Sequence, residues 1–448
     1  MEFIDKKSPA KGNSSTTMAI AVFVVLLFFL FLGLLFINRY KSSQIEIENG
    51  KPTVTVEPTE THSEIDIEEM IPPSPLDENL LITSHSAFAF NLFKKLTDSA
   101  QNKNIFVSPL SISLALSMPL NGAQGETRQT ILDVLAMTQL TSEEINKESK
   151  KIIDYLQKQA DIDISIANSI WIREGYKINN KFLDVNQENF DAEVASINFD
   201  SEQAVELINS WVDKNTNNKI QKIVEFPIES DVIMYLINAV YFKGIWKYEF
   251  NSELTENKSF KNTDGSESQV PMMQLEKEFE YFENEEIQVV SLKYGETEKV
   301  EMIIVLPKDE MDAFLDSFSI KSFNEFTDSF EKSKGKIILP RFKMDYSKSL
   351  NNMLQDMGME VAFTPGADFS LMREENDLYI SEVRHKAFIE INEKGTEASA
   401  ATSVEMALKA VPETVEDPFY MIMDKPFVFV IQDAESGEIF FIGQVNKL

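Results

Sequence analysis

The sequence predicts an α+β domain built around a large β-sheet. Two observations carry that prediction: helical hydrophobic spacing is concentrated in the first half of the folded region, and from Val232 onward short apolar or alternating runs dominate. Composition agrees, since 43% apolar and 26% charged residues among 448 describe a globular chain with a packed core.

The amino terminus is a different kind of sequence. From Met18 to Ile37 every residue is apolar except Gly33. A helix of that length reaches roughly 30 Å, the thickness of a bilayer's hydrocarbon core. The expectation is an uncleaved membrane-spanning helix over 18–37, preceded by a short cytoplasmic leader over 1–17. The alternative is secretion after signal cleavage, but the leader is long and no A-x-A-like site follows Ile37. Lys6, Lys7 and Lys11 precede the run and Arg39 and Lys41 follow it, which slightly favours an inward amino terminus and a folded domain facing outside as a single-pass membrane protein. Residues 38–79 carry many acids and Pro52, Pro58, Pro72, Pro73 and Pro75. Such a stretch reads as a tether, and the folded domain is expected over 80–448.

Within that domain Leu81, Phe88, Leu92 and Leu96 share one helical face. Ile105 to Leu120 reads as a second helix opened by Ser108 and Pro109, and Gly125 to Leu135 as a third. Asp161 to Ile172 alternates as a strand, while Asn179 to Phe190 and Ser201 to Asn217 return to helical spacing. Strands are expected at Ile233–Phe242, Val289–Leu292, Met302–Leu306, Lys336–Leu339, Leu378–Ile391, Phe427–Ile431 and Ile439–Val445. Glu276 to Glu286 reads as solvated surface.

Charge and motif content exclude several functions. A net charge of −31, from 73 acidic and 42 basic residues, repels phosphate backbones, so nucleic acid is not an expected partner. Asp161 to Arg173 offers no basic patch for heparin. The chain has no cysteine, which removes thiolate metal sites and a cysteine nucleophile. It has no G-x-S-x-G, H-E-x-x-H or P-loop, so neither an enzyme nor a metal or other cofactor is expected.

Several segments together resemble the serpin family: Asn104-Ile-Phe-Val-Ser-Pro-Leu-Ser111, Asn121-Gly-Ala-Gln-Gly-Glu-Thr127, Asn238-Ala-Val-Tyr-Phe-Lys-Gly-Ile-Trp246, Glu393-Lys-Gly-Thr-Glu-Ala398, Asp424-Lys-Pro-Phe-Val-Phe429 and Phe441-Ile-Gly443. They stand in the family's order and spacing from about Leu80 to the end. The resemblance implies the serpin fold, with helices packed on a large mixed β-sheet, smaller sheets and an exposed reactive-centre loop. It implies a suicide-substrate inhibitor of a serine protease, acting as a monomer. The membrane segment and tether depart from the usual family pattern.

The loop's own chemistry fits that implication. From Glu393 to Val411 there is no proline and no aromatic, so nothing bars the segment from a sheet. On one face an inserted strand would carry Thr396, Ala398, Ala400, Thr402, Val404 and Met406, all small or apolar. The other would carry Glu397, Ser399, Ala401, Ser403, Glu405 and Ala407. By the family's count from Glu393 the reactive bond is Lys409–Ala410, and a lysine there suits a trypsin-like protease. A shifted register would put Leu408 before a chymotrypsin-like pocket, or Ala407 or Ala410 before an elastase-like one. Glu393, Gly395, Thr396, Glu397, Ala398, Ser399, Ala400, Ala401 and Thr402 are by resemblance the hinge and inserting loop. Ser108, Ser111, Asn238 and His385 are by resemblance the shutter, where the sheet parts, and Trp246 lies at the breach, where the loop first enters. The alternative reading is a non-inhibitory serpin serving as a surface binding or carrier protein.

Overall fold

The computed structural model describes residues 80–100, 102–159, 162–396 and 417–448. In chain order the elements are α1 (Leu80–Ala100), β1 (Ile105–Val107), α2 (Pro109–Leu120), α3 (Gly125–Val134), α4 (Ser142–Leu156), β2 (Ile162–Arg173), α5 (Asn180–Phe190), β3 (Glu193–Ile197), α6 (Glu202–Asn215) and β4 (Met234–Ile245). They continue with β5 (Glu256–Lys261), β6 (Glu267–Glu283), β7 (Ile287–Tyr294), β8 (Val300–Pro307), α7 (Met311–Ser317), α8 (Ile320–Asp328), β9 (Glu331–Pro340) and β10 (Phe342–Ser349). The last are β11 (Glu382–Asn392), β12 (Gly395–Thr396), β13 (Phe419–Ile422), β14 (Phe427–Asp433) and β15 (Ile439–Val445).

The α+β expectation holds. One sheet runs β10-β11-β12-β4-β2-β3, and a larger one runs β1-β15-β14-β8-β7-β6-β9-β13 with β5 on β6. β4 is central to the first sheet, and its pleat shows why. Met234, Leu236, Val240 and Phe242 enter the main core, while Tyr235, Ile237, Ala239 and Tyr241 enter a second cluster with Trp171, Phe199, Ile208 and Val212. With both faces covered, the strand reads as a near-continuous apolar run.

α2 is the helix that matters most for the site. Ser108 caps it by accepting the Ser111 backbone N–H at 3.2 Å, and Pro109 occupies the first turn. All its residues are buried, because it packs against β2 and β4 of one sheet and β15 of the other.

Some sequence expectations are corrected. Ile105 to Val107 is strand, paired with Gln444 to Ile442, so the helix starts only at Pro109. The strand expected from Leu378 begins at Glu382. Glu276 to Glu286 is largely the end of β6: Glu276 to Glu278 are exposed, but Phe279 and Tyr281 alternate inward. α4 was not anticipated; polar residues fill its outer face, and a Thr141–Glu144 capping box starts it.

The expected location is corrected as well. Among the described residues no helix is long and apolar enough to cross a membrane. The longest, α1, carries Lys94, Lys95 and Asp98 and buries His85 within the domain. The single-pass, outward-facing arrangement therefore has no support in the described structure; the leader 1–17, the apolar run 18–37 on which it rested and the tether 38–79 lie outside the described residues.

Candidate functional site

Two neighbouring clusters form the site, one where the chain turns back from β11 and one deeper in the same sheet. β11 and β4 pair directly in parallel, from Glu382 opposite Tyr235 to Phe388 opposite Tyr241. Beyond that seam the chain reverses through Glu393 and Lys394, and β12 wedges antiparallel between the two strands. Thr396 faces Ile391 and Gly244, and Gly395 faces Asn392 and Ile245.

Each part of the wedge has a physical reason. Gly395 has φ +143°, and a Cβ there would strike the Gly244 carbonyl oxygen, so the reversal requires glycine. The Trp246 N–H donates to Lys394 O at 2.9 Å and the Phe250 N–H to Glu393 O at 2.7 Å. The Trp246 indole N–H donates to Asn392 O at 3.0 Å, and its ring stacks on Tyr294 with centroids 4.4 Å apart. Thr396 is fully buried, with its hydroxyl 2.8 Å from the Tyr294 hydroxyl. Burial pushes the Tyr294 phenol well up, so it stays neutral. The Glu393 carboxylate accepts from Thr255 at 2.7 Å and pairs with Arg341. Its burial is outweighed by hydrogen bonds from Arg341 and Thr255, which hold the carboxyl below its ordinary value.

The deeper cluster straddles the seam. His385 and Asn238 are register partners, and the imidazole Nδ1 lies 2.5 Å from Asn238 Oδ1. Nε2 accepts the Ser108 backbone N–H at 3.3 Å, so the proton sits on Nδ1 and the ring is neutral. Complete burial agrees, pushing its pKa down to about 3. The Asn238 amide donates to Ser111 O at 2.9 Å, to Ser111 Oγ and to Asn168 Oδ1 at 2.6 Å. All five residues are at most 2% exposed. The network ties β11, β4, β2 and α2 together and closes the sheet without any charge.

Glu393, Gly395, Thr396 and Trp246 thus converge at the wedge, and Ser108, Ser111, Asn238 and His385 converge at the seam. Glu397, Ala398, Ser399, Ala400, Ala401, Thr402, Lys409 and Ala410 lie outside the described residues. Sequence reasoning missed Asn168, although a signal existed: Ile162, Ile164, Ile166, Ile170 and Ile172 occupy one face of β2, and Asn168 interrupts them. Tyr294, Thr255 and Arg341 carried no local signal, because their partners are remote in sequence.

The comparisons with known proteins bear on the family and the fold. The family described as serpin (serine protease inhibitor) matches residues 83–448. A serpin-like protein of Thermococcus kodakarensis is 31% identical, with 89% of this chain and 94% of that protein covered. Among solved structures, the thermophilic serpin tengpin in its native state is 29% identical at a TM-score of 0.74, covering 88% of this chain and 98% of the other. Human thyroxine-binding globulin in complex with its hormone is 29% identical at a TM-score of 0.75, covering 82% and 98%. Serpins are generally inhibitors rather than catalysts, and by the family match and its relatives this chain belongs to the serpin family.

Proposed function

We propose that the chain inhibits a trypsin-like serine protease as a suicide substrate, with Lys409–Ala410 as the bait bond. The observation that supports this most strongly is the wedge: two residues beyond the reversal already pair as an antiparallel strand, aimed down a seam between two parallel strands. Continuing that register six residues past Thr396 moves the partners from Ile391 to His385 and from Gly244 to Asn238, so Thr402 falls between them. Insertion therefore exchanges the His385–Asn238 bond for two antiparallel ladders. The inward-facing positions continue from Thr396, the small and apolar set identified in the sequence.

In this mechanism the protease serine hydroxyl attacks the Lys409 carbonyl carbon. The bond to the Ala410 nitrogen breaks, that amine leaves protonated, and an ester joins the protease serine to Lys409. The freed segment then inserts over about 45 Å, carrying the protease along before water can hydrolyse the ester. The native form must be kinetically trapped above the inserted one.

The test is to mix the protein with trypsin and examine a denaturing gel, mapping the cut by mass. A covalent band with cleavage after Lys409 supports the mechanism and the register. Cleavage without a covalent band favours a binding or carrier protein, the reading to which the likeness to thyroxine-binding globulin lends weight. An uncut chain removes Lys409 as the bait.

A further inference from the structure

The described chain stops at Thr396 in the wedge and resumes at Asp417, just before β13. β13 is the last strand of the larger sheet, where it pairs in parallel with β9, and β9 pairs with β6. Its pleat is divided. Phe419 and Met421 turn inward: the Phe419 ring stacks on Tyr281 with centroids 3.6 Å apart, beside Gly335, where a Cβ would strike it, and Met421 is fully buried. Tyr420 and Ile422 turn outward and are 61% and 42% exposed; Tyr420 is the most exposed large hydrophobic side chain among the described residues. The strand is also pinned, because Tyr420 O accepts from the Gln288 amide at 2.9 Å and the Met423 N–H donates to Ile338 O at 2.9 Å. An aromatic held on a fixed strand loses little freedom when a partner covers it.

The outward face continues across the sheet. Tyr420 stands opposite Lys336 and Lys336 opposite Glu276, while Ile422 stands opposite Ile338 and Ile338 opposite Gln274. The Gln274 amide donates to Leu254 O at 3.0 Å, and Leu254 is 51% exposed. Its neighbour Thr255 holds Glu393 at the hinge. Leu254, Tyr420 and Ile422 thus mark a face between the place where the chain leaves the wedge and the place where it resumes, with Lys334 opposite Glu278 and Lys336 opposite Glu276 as a charge-balanced rim. β13 is four residues long and lies between Pro418 and Pro426, so it offers a partner side chains and not a long backbone ladder.

We propose that this face is a second docking surface for the trypsin-like protease, with Tyr420 and Ile422 as its anchors. The proposal rests on the bait reading. From Ala410 to Asp417 is seven residues, which span at most about 25 Å. A protease of about 200 residues is roughly 40 Å across, so one engaged at Lys409 has its body within reach of β13. An aromatic and an aliphatic anchor inside a polar rim have the composition of a binding hot spot. The bait residue then selects the specificity pocket, and this face selects among proteases that share that pocket by the surface around their clefts.

The test titrates trypsin whose catalytic serine is replaced by alanine into the full chain by calorimetry, beside active trypsin in the gel assay. Tyr420→Ser combined with Ile422→Ser should weaken the reversible complex about tenfold and slow covalent capture by a similar factor. The ratio of covalent complex to cleaved chain should stay unchanged, because insertion and not docking sets it. Leu254→Ser, on a different segment, should weaken binding severalfold and keeps the test decisive if the β13 variant folds poorly. Unchanged affinity in either variant overturns the surface, as does tighter binding, the result expected if residues 397–416 of the chain itself covered the face. A wild-type chain that does not bind the inactive trypsin overturns it too. Reversible binding that depends on Tyr420 and Ile422, with no covalent complex from active trypsin, keeps the surface and refutes the suicide-substrate reading; a covalent complex formed at equal rates by all the variants does the reverse.

Discussion

Acid should open this sheet through His385, and the size of the effect follows from its surroundings. The imidazole is fully buried, uses Nδ1–H on Asn238 and accepts the Ser108 N–H at Nε2, leaving no room for a second proton. Its pKa is about 3 in the folded chain, against 6.5 when unfolded. Above pH 6.5 both states are neutral and the group contributes no pH dependence. As pH falls from 6.5 toward 3 the unfolded chain takes up a proton that the folded chain refuses, so stability is lost by about 1.4 kcal/mol per pH unit. At pH 5 the loss is about 2 kcal/mol, a factor of about 30 in the equilibrium. His385→Gln retains a hydrogen-bonding side chain and cannot titrate. The assay is the first denaturant-induced transition of both proteins between pH 8 and 4.5, followed by fluorescence. Other carboxylates, including buried Glu438, whose burial raises its pKa, titrate in both proteins and cancel in the difference. The wild type should lose its advantage progressively below pH 6.5; curves that stay parallel across that range would refute a neutral, proton-excluding His385.

Further expectations follow from the same contacts. Asn168→Ala removes the acceptor of the Asn238 amide inside a dry cluster and should cost about 1–3 kcal/mol, read as a lowered midpoint of the same transition. Gly395→Ala forces a Cβ onto the Gly244 carbonyl at a positive φ and should cost about 1–3 kcal/mol of local strain, read as faster hydrogen exchange over 392–396. Thr396→Arg places a long cation where the side chain is fully buried against Tyr294. In the trypsin assay it should shift the products from covalent complex to cleaved chain, and an undiminished yield of complex would show that the hinge need not dock.

The location of the site within one sheet has a consequence for how the molecule is kept closed. The seam between β11 and β4 is held at one end by the hinge contacts of Trp246, Phe250 and Arg341, and along its length by neutral hydrogen bonds. The hydrogen bonds along the seam involve no charged group, whereas the Arg341–Glu393 ion pair holds its hinge end.

Much of this protein was decided by local sequence. The helix beginning at Pro109 follows from Ser108 and Pro109, and the strand character of β2 from its isoleucine period. The reversal at Gly395 follows from a residue with no Cβ. These are effects of caps, period and backbone freedom, which act over a few residues and are written in adjacent letters. Tertiary structure alone decided the rest. Ile105 to Val107 became strand because β15, near the other end of the chain, offered a partner, although its apolar run suited a helix equally well. Phe279 and Tyr281 turned inward because β9 and β7 fixed the pleat of an otherwise acidic segment. Asn168, Tyr294 and Arg341 joined the site because folding brought them against Asn238, Thr396 and Glu393. Such roles depend on which groups meet when water is excluded, a property of the packed chain that no short window of sequence contains.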